Sequence, residues 1–385
     1  MFKGLCRLTG VIALTCLTFS PVIWADSGTQ VYTGTLGKTP IVLEVNPDTG
    51  DGRYFYQKYR RDLVLSVTKE GEMLVLEEGG ERQPHATMRL QPTPDGWSGT
   101  WISAKGKGRK MELQHAKLAP VPADSLPYFV QLHDQWPYEY LRLQGLKLKQ
   151  GHTENVMGYT LQWWSEPQSE VQLFEVASGY PAEVLQRINQ RLMARLWQGV
   201  GDTFGCTVDG APGSYSQTSQ PVWMSASVMS VVTATDSYCG GLHPNQDNES
   251  LNFDTKTGNV LTLDDVLWVG QGKPVHFEEG RYEYSSPSFK AYSDYRAKEL
   301  APWLVAQLLK LNPNDMKEKP EPEENDCVYN DEGLWSYPLW YFTEKGLKLE
   351  PSFVHAAAVC RDIDWSVLPY NLVKQHPGGV ALQLP

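Results

Sequence analysis

The sequence predicts an α+β fold: a small antiparallel β-barrel or meander first, then a C-terminal sheet with two long helices packed on one face. Three observations predict it. Residues 30–118 alternate apolar and polar positions between closely spaced turn signals and show no helical period. A proline-rich stretch, 119–127, then interrupts the chain. Beyond it, two helical periods fall among further strand-like runs.

In chain order, Ile41, Leu43 and Val45 alternate with Val42 and Glu44, and Leu63, Leu65 and Val67 alternate with Val64 and Ser66. Tyr54 and Tyr56 flank Phe55 in the same way. Turn residues stand at Asn46–Gly50, Glu70-Gly71, Pro94–Gly96 and Lys105–Gly108, a spacing suited to hairpins. Residues 119–127 read as a stiff, extended linker, which divides the chain into an all-β domain (26–118) and an α+β domain (128–385).

In the second domain Gly158–Trp164 and Val171–Val176 read as strands. Pro181 opens a helix that aligns Val184, Leu185, Ile188, Leu192 and Leu196 and is expected to stop at Gly199. Val222–Ser237 is a long β-prone run, and Glu249–Asp254 is a further strand. Phe289–Leu311 is helical, broken or restarted at Pro302, and closed by Asn312-Pro313. Trp340–Thr343, Leu347–His355 and Leu368–Val373 complete a sheet, with Lys317–Asp326 as a charged surface loop.

The chain has 385 residues, of which 41% are hydrophobic and 21% charged, a globular composition that excludes disorder, coiled coil and collagen. Residues 1–25 read as a signal peptide: Lys3 and Arg7, an apolar run from Leu8 to Phe19, then a cleavage site after Ala25. An uncleaved anchor and a lipid-modified Cys16 are the alternatives. No later stretch is apolar enough to cross a bilayer, so a periplasmic or secreted location is expected. Cleavage removes two cations and no acid, which takes the net charge from −11 to −13. Such acidity argues against nucleic acid and suits a basic partner.

Cleavage also leaves four cysteines, Cys206, Cys239, Cys327 and Cys360, an even number in an exported chain. Sequential pairing gives two loops of equal span, Cys206–Cys239 and Cys327–Cys360. A zinc site is the rival, without a CxxC or paired-histidine spacing to support it. No cofactor is implied, and no GxSxG, HExxH, P-loop or GxGxxG motif is present.

The candidate binding residues are Gly240, Gly241, His243, Asn245 and Asp247, read as an exposed loop whose glycines permit a sharp turn beside Cys239. A plain glycine turn is the alternative. Trp163 and Trp164 point to opposite faces of a strand, one indole into the core and the other toward a contact surface. Asp254–Gly258 reads as a turn, and Thr262 with Asp265 as a helix cap. His355, in the run Phe353–Ala356, reads as a satisfied strand histidine, with a base as the alternative, and Asp362 and Asp364 as exposed acids or a carboxylate pair for sugar chemistry.

Gly240-Gly241-Leu242-His243-Pro244-Asn245, then Asn252–Gly258 and Leu261–Asp265, form a pattern in a fixed order. With Phe342–Leu347 and Val367–Tyr370 it resembles, over about 140–375, an extracytoplasmic domain of unknown function. That domain occurs in the ectodomain of the lysozyme-sensing anti-sigma-V factor. The resemblance implies an envelope binding module for a cationic secreted protein such as lysozyme. The alternatives are a peptidoglycan hydrolase or deacetylase using His243, and a structural envelope component.

Overall fold

The computed structural model describes residues 28–79, 85–208, 210–275, 286–317 and 327–385. The expected signal peptide and nearly all of the charged loop ending at Asp326 lie outside the described residues.

Eight strands close an antiparallel barrel in chain order: β1 (Gln30–Leu36), β2 (Thr39–Asn46), β3 (Asp51–Tyr56), β4 (Leu63–Glu70), β5 (Met73–Glu78), β6 (Thr87–Thr93), β7 (Gly96–Ile102) and β8 (Gly108–His115). The alternation seen in the sequence puts Ile41, Leu43, Val45, Leu65 and Val67 in its interior, beside Tyr32, Met88 and Met111. The seam between β1 and β8 depends on Gly34, where a Cβ would lie 1.9 Å from the carbonyl oxygen of Glu112.

The barrel is not a free-standing bead. Val42 and Phe55 belong to the outer face of β2 and β3, yet both are fully buried, packed with Tyr138. Tyr138 belongs to α2 (Pro137–Leu143), which follows α1 (Pro127–Gln135). Around this contact lies an ionic network. Arg142, wholly buried, reaches Asp62 of the barrel at 2.7 Å and Glu139 at 2.8 Å. Tyr138 donates its hydroxyl to Asp62 at 2.6 Å, and Arg53 joins Glu44, Asp62 and Glu139. The expected linker is itself seated, because Val121 and Leu126 pack against the C-terminal core.

Among the described residues the C-terminal strands form three three-stranded sheets where the sequence suggests one. The first joins β9 (Lys149–Val156), β10 (Tyr159–Ser165) and β11 (Gln172–Ser178). After α3 (Ala182–Gly205) and the short pair β12 (Thr207–Val208) and β13 (Ala211–Pro212) comes the second: β14 (Ser214–Met224), β15 (Val228–Tyr238) and β16 (Asn245–Asp254). The third, β17 (Leu339–Phe342), β18 (Gly346–Glu350) and β19 (Val367–Pro369), precedes α7 (Tyr370–Val373). Side chains join the last two sheets in place of a backbone ladder. Ser250 and Asn252 donate to the Trp340 carbonyl at 2.7 and 2.9 Å, and Ser230 accepts from the Phe342 amide at 2.9 Å.

The sheet of β14–β16 divides two hydrophobic clusters: Met229, Val231 and Phe253 belong to one with α3, and Val228 to the other. That second cluster takes in Leu304 and Leu308 of α6 (Ala301–Leu311). A strand buried on both faces reads as an unbroken apolar run, which is why Val222–Ser237 shows so little alternation. The turn at Ser225–Ser227 divides that run, with the Ser225 hydroxyl accepting the amides of Ser227 and Val228.

The face predicted for α3 is the buried one, but the helix continues past Gly199 to Gly205. Gly199 is a packing residue: a Cβ there would meet Gln217 at 2.2 Å. The second helical run is α5 (Pro287–Tyr295), a π-helical turn over Arg296–Leu300, and α6, with Pro302 in the first turn of α6. The predicted cap is present, Asp265 accepting the Thr262 amide at 2.8 Å to open the short α4 (Leu263–Val266).

Candidate functional site

The motif Gly240–Asn245 is the tip of a projecting hairpin. Strands β15 and β16 stay in register as far as Ser237 opposite Asn245, so Asn245 and Asp247 stand in a strand, correcting the expected loop. The turn itself is Cys239–Pro244. Gly240 and Gly241 adopt φ of +100° and +93°, a region that L side chains rarely enter, so both glycines are required. Tyr238 donates its hydroxyl to the Gly241 carbonyl at 3.2 Å, and the His243 ring bonds the Pro244 carbonyl at 3.0 Å. Every residue from Gly240 to Glu249 is exposed. The disulfide Cys206–Cys239, with Cα atoms 4.7 Å apart, fixes the hairpin base to the end of α3.

A second segment meets the hairpin. The run expected as a strand through His355 ends at Glu350, because Pro351 removes a ladder donor. His355 instead begins a 3₁₀ turn, His355–Cys360, and is exposed, which overturns its reading as a strand histidine. The disulfide Cys327–Cys360 ties down the end of this turn. The His243 and His355 rings lie 6.3 Å apart, and Arg361 donates to the Phe353 carbonyl at 2.8 Å and to the Gln246 carbonyl at 3.1 Å. Two cross-linked segments are thus held side by side.

Both segments carry strongly exposed apolar side chains. Leu242, Val359 and Val354, at 102, 81 and 73% exposure, are the three most exposed large hydrophobic residues among those described. Acids surround them along the chain: Asp236 and Asp247 on the hairpin, Asp362 and Asp364 beyond the turn, all exposed. The sequence offered little sign of this pairing beyond the proline at position 351.

Between the segments lies a cleft of about 480 Å³, lined by Asp247, Asn248, Glu350, His355 and Arg361 among others. Glu350 is nearly buried, accepting from Asn248 and from the Tyr341 hydroxyl, each at 3.2 Å. Burial raises its carboxyl above the usual range, against the lowering effect of those hydrogen bonds. Burial likewise lowers the Lys348 ammonium, which donates to Ser366 at 2.9 Å. His243 makes no ion pair with a carboxylate among the described residues, and no cluster of three or more His, Cys, Asp or Glu suited to a metal occurs among them.

Trp163 and Trp164 belong to a different sheet, that of β9–β11. Both are partly buried against the same hydrophobic cluster, correcting the expectation of one inward and one outward ring. Trp163 stacks on His152 at 5.6 Å, and Trp164 donates to Glu175 at 2.8 Å.

No protein-family model and no curated protein matches the chain. Among solved structures, a tesB protein of Mycobacterium avium subspecies paratuberculosis is similar over 58% of this chain and 79% of its own, at 11% identity and a TM-score of 0.10. A likeness that weak bears on neither fold nor function.

Proposed function

We propose that the chain is an exported, non-enzymatic envelope protein that docks a cationic secreted protein on the surface formed by Leu242, His243, Val354 and Val359, with lysozyme as the specific candidate. One observation carries the reading. The most exposed apolar side chains among the described residues stand on two segments that are each held by a disulfide and meet at His243 and His355. Exposed apolar side chains with acids on the same and adjoining segments combine desolvation at contact with steering of a basic partner. Disulfide anchoring reduces the order that must be gained on binding. The motif resemblance supports lysozyme, and a net charge of −13 without residues 1–25 supports a cationic partner. Two disulfides favour an oxidising compartment, periplasmic or extracellular.

The test is capture of lysozyme by the immobilised chain beginning at Asp26. Leu242→Asp combined with Val359→Asp should weaken capture by about tenfold or more, because both would be central contacts. Both side chains are exposed, so the melting temperature should hold. His243→Ala should weaken capture modestly, and raising salt from about 0.1 M should release the partner as exposed charges are screened. Undiminished capture by the double variant would remove this surface from the reading. Turnover of peptidoglycan that His243→Ala abolishes would replace binding by catalysis.

A further inference from the structure

A larger cleft, of about 1280 Å³, is lined by residues of α1, α3 and α5. Its charge is opposite to that of the chain. Arg187, Arg191 and Arg296 line it, and no aspartate or glutamate does among the described residues. The cleft beside the hairpin has Asp247 and Glu350 in its wall, and a third, of about 460 Å³, has Glu139 and Asp202. In a chain with 45 acids against 34 Lys and Arg, a lining with three guanidinium groups and no carboxylate is a local reversal of sign.

The three arginines play different parts. Arg296 is almost buried, paired with Asp264 at 2.7 Å and donating to the Tyr292 hydroxyl, so its charge is balanced inside the wall. Arg187 and Arg191 are exposed and stand four residues apart on α3, on one helix face with Cβ atoms about 6 Å apart. Neither has a carboxylate partner among the described residues. Arg187 is aimed by a 2.8 Å bond to the Thr257 carbonyl, which orients the guanidinium and leaves its charge unbalanced. Two such groups at one opening match a planar anion that accepts two hydrogen bonds from each fork.

The rest of the wall mixes aromatic side chains, Tyr128, Tyr337 and Trp340 among them, with polar ones such as Gln131, Gln190 and Asn259. Aromatic faces beside hydrogen-bonding polar groups take sugar rings, which have one apolar face and a polar edge, and the volume exceeds that of a monosaccharide site. We propose that this cleft binds an acidic carbohydrate of at least two rings, its carboxylate held by Arg187 and Arg191. The site is separate from the docking surface; the two clefts share only Tyr337 and Pro338.

Calorimetric titration of the chain from Asp26 tests it with three probes: the disaccharide of N-acetylglucosamine and N-acetylmuramic acid, uncharged diacetylchitobiose, and glucose 1-phosphate. The acidic disaccharide should bind, at least tenfold more tightly than chitobiose. Arg191→Glu should weaken it tenfold or more at an unchanged melting temperature, since that side chain is exposed, and Arg187→Glu, which also gives up the bond to the Thr257 carbonyl, should weaken it at least as much. Leu242→Asp should leave it unaffected, which separates this site from the hairpin. Absence of binding at millimolar disaccharide, equal affinity for chitobiose, tighter binding of the sugar phosphate, or full affinity in Arg191→Glu would each overturn the proposal.

Discussion

Asp62→Ala should destabilise the folded chain by about 3 kcal/mol, at the lower end of the range for breaking a buried ion pair. The loss comes from what remains. Arg142 is wholly buried, with its Nη2 held between both Asp62 oxygens at 2.7 Å. Without Asp62 the guanidinium keeps Glu139 and the Arg60 carbonyl, so part of its charge stays matched and the effect stays near the lower end. The Tyr138 hydroxyl loses its acceptor as well. Replacing both charges, Asp62→Leu with Arg142→Met, should cost less than Asp62→Ala alone, because no unpaired charge is left behind. Urea unfolding followed by tryptophan fluorescence measures both. A double variant as unstable as the sum of its single changes would show that the pair is not coupled.

Removing Cys206–Cys239 by paired alanine substitution should lower stability by about 3–4 kcal/mol, the chain-entropy cost of freeing a loop of that span. The span is 33 residues, and the second disulfide closes a loop of the same length. The functional effect should exceed the stability effect. Cys239 is the first residue of the hairpin turn, and the exposed residues beyond it have few other constraints. Capture of a partner should therefore fall in the folded variant, well below its melting temperature. Thermal unfolding and capture on the same sample separate the two. Capture equal to that of the parent chain would show that the hairpin needs no anchor.

The sequence carried the barrel because most strands there alternate and every turn between them except 57–62 has a glycine or proline. It carried the buried face of α3, the Thr262–Asp265 cap and the cysteine pairing for the same reason: the interacting residues are close in sequence or regular in spacing. What it could not carry depends on distant partners. Asp62 and Arg142 are 80 residues apart, and nothing local marks either as buried. Strand β9 has no apolar face to read, since its side chains are mostly exposed. The glycine at 199 resembles a helix stop unless Gln217 is known to lie against it.

At the site the glycine turn was legible, but its neighbour was not. The run Phe353–Ala356 has the composition of a core strand, and its exposure follows from the Cys327–Cys360 cross-link and the proline at 351. Leu242, within the glycine turn, carries no signal of its own in the sequence. Its meaning comes only from Val354 and Val359 standing on the adjoining segment.

Hydrogen–deuterium exchange of the chain with and without lysozyme reports which segments the partner covers. Exchange should slow only in the hairpin, 239–249, and the adjoining turn, 354–361, with the barrel strands unchanged. Protection centred on the barrel, or no change at either segment with lysozyme in excess, would contradict docking on these segments.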